Sequence, residues 1–182
     1  MTKARIPPLA DDCEDPAAAE ALAAIGRTWG EPWNVARVMA HAPDVLAAFN
    51  AYWRGLRKTG LDDLDREVVD LSMAYLNDCH YCVPAHVKLA RETGLAEADI
   101  RAILAGAPVG TERGRLIQDL TRALLQRKGR LTDAEFAAFE ARGADPRTMI
   151  EVIAEIAHCT LTNYVNRLAG TPLDAFLDDV KT

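Results

Sequence analysis

The punctuation of this chain is that of helix ends. Leu131-Thr132-Asp133-Ala134-Glu135-Phe136 has the form of a capping box, with Thr132 at the N-cap, Glu135 answering it, and Leu131 with Phe136 as a hydrophobic staple. Asp145 before Pro146 reads as an N-cap followed by proline at the first helical position, and Thr171 before Pro172 repeats the pattern. Gly94 and Gly129 each follow a helical run and read as stops. Alanine, leucine and charged residues dominate, aromatics are only 6%, and no strand-like alternation of β-branched residues interrupts them. The chain is therefore expected to be all-α, with helices near 16–28, 32–41, 43–58, 62–77, 79–93, 97–105, 111–128, 132–142, 146–169 and 172–180. Residues 1–15, with Pro7, Pro8 and a cluster of acids, read as an arm ahead of one helical domain over 16–182. Pro108–Gly114 reads as a hinge within that domain.

At 182 residues the chain is long enough to bury its own core. A net charge of −6 argues against nucleic-acid backbones and anionic membranes, which both attract clustered positive charge. No run approaches the roughly 18 apolar residues of a membrane span, and the first residues lack a signal-type apolar stretch. The expected compartment is the cytoplasm, where thiols stay reduced and close cysteines serve catalysis, redox sensing or metal binding.

Asn77–Gly94 holds two of the four cysteines and two of the four histidines. Cys79, Cys82 and His86 are spaced i, i+3, i+7, so on a helix they lie within about 60° of one another. Residues three apart on a helix have Cα atoms about 5 Å apart, within the span a disulfide tolerates. Asn77-Asp78 breaks and caps, placing both cysteines in the first turn of the next helix, where free N–H groups and the dipole favour a thiolate. Pro84 agrees with a helix start. His86, one turn beyond Cys82, is the natural base or hydrogen-bond partner. Two other readings stand beside this one: structural zinc, with Glu67 or His80 completing the ligand set, and inert core thiols.

The pattern Glu67, eleven residues, Cys79, two residues, Cys82, three residues, His86 resembles the core motif of the alkylhydroperoxidase D-like branch of the carboxymuconolactone decarboxylase superfamily. That core spans about residues 62–94, and the later Thr162–Arg167 and Thr171–Asp174 are similar to the C-terminal part of such proteins. The resemblance implies an all-α fold assembled as a homo-oligomer, trimer or hexamer, and a thiol-dependent hydroperoxidase. In it Cys82 attacks the peroxide, Cys79 resolves the sulfenic acid, His86 takes the proton of Cys82, and Glu67 completes the relay. A dithiol donor, lipoyl-carrying or thioredoxin-like, restores the thiols, and neither a metal nor an organic cofactor is needed.

One position departs from some peroxidases of this kind: Tyr81 stands before the second cysteine where they carry histidine, with His80 one place earlier. A phenol with a pKa near 10 cannot carry protons at neutral pH as an imidazole does. His80 and Tyr81 are kept as candidate pocket residues. His158 and Cys159 read as core groups, and Trp29, Trp33 and Trp53 with Phe49 and Tyr52 as packing of the N-terminal helices, with the lining of a substrate cleft as the second reading. Rival functions are a dithiol–disulfide oxidoreductase, a carboxymuconolactone decarboxylase-like enzyme on another substrate, and a non-enzymatic redox sensor or zinc module.

Overall fold

A computed structural model describes residues 4–182. Among the described residues nine α-helices run in chain order: α1 Pro16–Trp29, α2 Asn34–Met39, α3 Pro43–Leu56, α4 Asp63–Leu76, α5 Cys82–Thr93, α6 Glu97–Leu104, α7 Glu112–Arg127, α8 Asp133–Ala141 and α9 Pro146–Ala169. A 3-10 turn over Ala175–Leu177 follows. The described residues contain no strand, and no helix among them is long and apolar enough to cross a membrane. Three helices, α1, α3 and α9, open on proline, whose missing N–H would be unpaired there in any case. The Thr132–Glu135 capping box is reciprocal, and Asp145 accepts from the Thr148 N–H at 2.7 Å.

Two apolar clusters form the core. One joins α4, α6, α7 and α9 through residues such as Val69, Leu71, Ile103, Leu120 and Val152. The other joins α1, α2 and α3, where Ala18, Ala21, Leu22 and Ile25 form the buried stripe of α1 at helical spacing. α4 is the central element: residues 65 to 74 are all buried, and it packs against α5, α6, α7 and α9. Cys79, Tyr81 and Cys82 belong to the second cluster, and Val83 packs against both, so the cysteine turn lies on the seam.

Three expectations need correction. Residues 172–180 form no α-helix beyond the 3-10 turn, because Thr171 and Asp174 bond to residues of the cysteine turn and α2 rather than capping a helix. The Pro108–Gly114 segment is tied down: Val109 is buried and donates to Gln118 at 3.1 Å, and Gly110 donates to Asp99 at 2.6 Å. Only Cys82 lies in α5, since Cys79 sits in the turn before it. Met1–Lys3 of the expected arm lie outside the described residues; the rest is non-helical, with Leu9 donating to the Arg37 carbonyl and Arg5 to that of Leu168.

Candidate active site

The turn between α4 and α5 is set by its own backbone bonds. Cys79 N–H reaches the Ala74 carbonyl and Asp78 N–H that of Tyr75, each at 3.0 Å, with Asp78 left-handed at φ 49°. This is the Schellman closure with aspartate in the place glycine usually takes. Cys82 N–H then points at Cys79 Sγ, 3.2 Å away, so the first cysteine also caps the helix that begins with the second. The two are joined as a disulfide with Cα atoms 5.2 Å apart, and Cys79 and Cys82 are 1% and 3% exposed.

His86 projects one turn on from Cys82 and brings its Nδ1 within 3.3 Å of Glu67 Oε2 and 3.8 Å of Asp70 Oδ2, both on α4. Burial works against a charged imidazole here. The Glu67 hydrogen bond and the charges of Asp70, Glu67 and Glu155 overcome it and raise His86 from 6.5 to about 9. From α9, Asn166 Nδ2 donates to Cys82 Sγ at 3.4 Å. Cys159 Sγ donates to Asp70 Oδ1 at 2.9 Å, and burial holds Cys159 as the neutral thiol. Burial raises Asp70 and Glu155 above the ordinary carboxyl range, helped by the charge of Glu67 on the first and of Asp70 on the second. His158 is driven down to about 3 by burial and by the charge of His86, so it stays neutral.

The expected constellation Glu67, Cys79, Cys82 and His86 is thus brought together. Tyr81 joins it as a wall, its hydroxyl donating to Asp174; burial and that carboxylate push its pKa upward, leaving it a neutral phenol. His80 does not join: it is exposed and bonds the Thr171 carbonyl at 2.9 Å, outside the cavity. The zinc arrangement with His80 or Glu67 is not the one observed, as the two sulfurs are bonded to each other. Among the described residues two donor sets of metal type do occur, Glu67–Asp70–His86 and Asp70–His158–Cys159. Within each set neighbouring groups are hydrogen-bonded to one another, Glu67 with His86 and Asp70 with Cys159. Asp70 and Asn166 were missed as site residues; only a helical repeat of Glu67 by one turn hinted at Asp70.

Above Cys82 opens a cavity of about 290 Å³, whose floor includes Glu67, His86 and Asn166. Trp29, Trp33, Phe49 and Trp53 supply much of its wall, so the expected packing of the N-terminal helices also encloses a space.

An all-helical domain with a dithiol–disulfide pair beside a histidine–carboxylate couple defines the class, and the comparisons with known proteins narrow it. Residues 43–110 match the carboxymuconolactone decarboxylase family. A stretch of 59 residues, 29% of the chain, is 39% identical to the alkyl hydroperoxide reductase AhpD of Azorhizobium caulinodans, and covers 33% of that protein. The match therefore spans about a third of that relative's length. The fold is similar to that of a peroxidase-related protein from Ralstonia eutropha JMP134, an alkylhydroperoxidase AhpD core, with a TM-score of 0.81 and 21% identity over 96% of this chain and 94% of that one. It is also similar to the debrominase Bmp8, solved with 2,3,4-tribromopyrrole, with a TM-score of 0.75 and 18% identity over 97% of each chain. The likeness in sequence to the carboxymuconolactone decarboxylase family thus lies in residues 43–110, which hold the cysteine turn, and over the rest of the chain the solved structures share the fold.

Proposed function

We propose that the chain is a thiol-dependent hydroperoxidase cycling through the Cys79–Cys82 pair. The observation that carries this reading is Cys82 at the floor of a cavity, bonded to Cys79 and flanked by the His86–Glu67 couple. In the reduced protein the Cys82 thiolate attacks the terminal oxygen of R–O–O–H. The O–O bond breaks, the sulfur becomes Cys82–SOH, and the leaving alkoxide takes a proton to depart as R–OH. The Cys79 thiol then displaces water from the sulfenic acid and closes the disulfide. His86, an imidazolium at neutral pH, stabilises the thiolate and gives the proton to the alkoxide, while Glu67 holds the ring and reloads it. Asn166 adds a donor to the sulfur.

The near-complete burial of both cysteines favours small peroxides as substrates over disulfides of other proteins. It also favours a slender dithiol, such as a lipoyl arm, as the reductant over a thioredoxin-like partner, which presents its thiols on a protein surface. α9 carries exposed Ile150, Ile153, Leu161, Tyr164 and Leu168, which supports a homo-oligomer, measurable by light scattering on the eluting protein. A cytoplasmic setting and the division into arm 1–15 and domain 16–182 complete the proposal. The test is peroxide consumption with a dithiol donor: it should vanish in Cys82→Ser and drop sharply in Cys79→Ser. Turnover unchanged by both substitutions defeats the reading.

A further inference from the structure

The space above Cys82 is walled by rings in a specific mutual arrangement. Trp29 meets Trp33, Phe49 and Trp53 edge-on, with centroids 6.1, 5.9 and 6.3 Å apart. Phe49 in turn lies parallel to the imidazole of His158 at 4.9 Å. These side chains come from α1, α3, α9 and the residue before α2, so four separate segments converge on one hollow. Hydrogen peroxide is small and polar and gains nothing from such a wall. The volume, about 290 Å³, lies at the lower end of small-molecule sites, enough for a compact ring-bearing molecule but not for a long acyl chain.

Two lining residues carry buried polar atoms with no partner among the described residues, Trp29 Nε1 and His158 Nε2. The indole N–H is a donor only. The neutral imidazole of His158 offers either a donor or an acceptor. An aromatic body adds ring–ring attraction to the area it buries, which an aliphatic body of equal size does not.

Resting on the peroxidase reading, we propose that the substrate is an organic hydroperoxide bearing an aromatic ring. The ring sits among Trp29, Phe49 and Trp53, and the peroxy group reaches Cys82. Atoms balance as before: the ring-bearing alkoxide leaves as its alcohol with one proton, and Cys82 keeps the transferred oxygen until Cys79 expels it as water.

Cumene hydroperoxide and tert-butyl hydroperoxide test this, because both are tertiary and differ by a phenyl in place of a methyl. kcat/KM in the wild type should favour cumene hydroperoxide by about tenfold or more, with hydrogen peroxide lower still. Trp53→Leu should bring the ratio of the two organic peroxides towards one. Equal rates in the wild type overturn the ring inference and leave the peroxidase reading standing. An independent measurement is binding of the product alcohol, 2-phenyl-2-propanol, against tert-butanol in Cys82→Ser, followed by tryptophan fluorescence. Tighter binding of the ring alcohol supports the site, and equal or no binding overturns it. If the ring alcohol binds but no hydroperoxide is consumed, the peroxidase reading has failed rather than the ring site.

Discussion

Replacing Glu67 by glutamine removes one charge from the site while keeping its size and a hydrogen-bonding group. His86 is raised from 6.5 to about 9 against the cost of its burial, chiefly by the Glu67 bond and the Asp70 charge. That rise corresponds to roughly 3 kcal/mol in favour of the folded imidazolium, at about 1.4 kcal/mol per unit. A group with a higher pKa folded than unfolded stabilises fully below its unfolded value, and the effect is lost as pH climbs through the folded value. The contribution is therefore complete near pH 6 and gone by about pH 10. A carboxylate at this distance is worth about 1–3 units, and Asp70 and Glu155 remain in the variant. Oxidised Glu67→Gln should thus be less stable than the wild type by roughly 1–3 kcal/mol near pH 6, and by much less near pH 10. Urea unfolding at the two pH values reads the difference, and NMR titration of His86 reads its cause. An equal loss at both pH values, or a wild-type His86 titrating near 6.5, refutes the reasoning.

Other substitutions probe separate contacts. Cys79→Ser should stop at the sulfenic acid after one equivalent of peroxide, trapped on Cys82 by dimedone and seen as a mass shift. Asn166→Ala removes the donor 3.4 Å from Cys82 Sγ and should raise the thiolate pKa by about half to one unit, read from alkylation rates against pH. Asp174→Ala strips the acceptor from both the Tyr81 hydroxyl and the Asn34 N–H, and should cost about 1–3 kcal/mol in thermal or urea unfolding.

The helices were legible because their ends are written locally. Thr132 with Glu135, Asp145 with Pro146, and the left-handed Gly94 each act within four residues of chain, so the sequence alone shows them. The Glu67–Cys79–Cys82–His86 group was legible through its spacing on two consecutive helices and through its resemblance to a known motif. The start of α5 was misplaced because the Schellman closure at Asp78 and the capping by Cys79 Sγ use up the residues that looked like a first turn. The C-terminal segment was misread for a tertiary reason: Asp174 serves Tyr81, 93 residues away, instead of opening a helix. Asn166 meets Cys82 across 84 residues and Asp70 meets Cys159 across 89, and no local pattern signals either contact. Residue type alone leaves the tryptophans between packing and cleft lining; they do both, and that depends on tertiary contacts among α1, α3 and α9 that no local pattern encodes.

The central claim is that Cys82 is held as a thiolate by the histidine one turn beyond it. The direct measurement is the rate of Cys82 alkylation against pH in the reduced protein, followed peptide by peptide so that Cys13 and Cys159 do not contribute, in wild type and in His86→Ala. A wild-type pKa below about 7 that climbs towards about 8.5 in the variant is the expected result. A value near 8.5 in both proteins contradicts it.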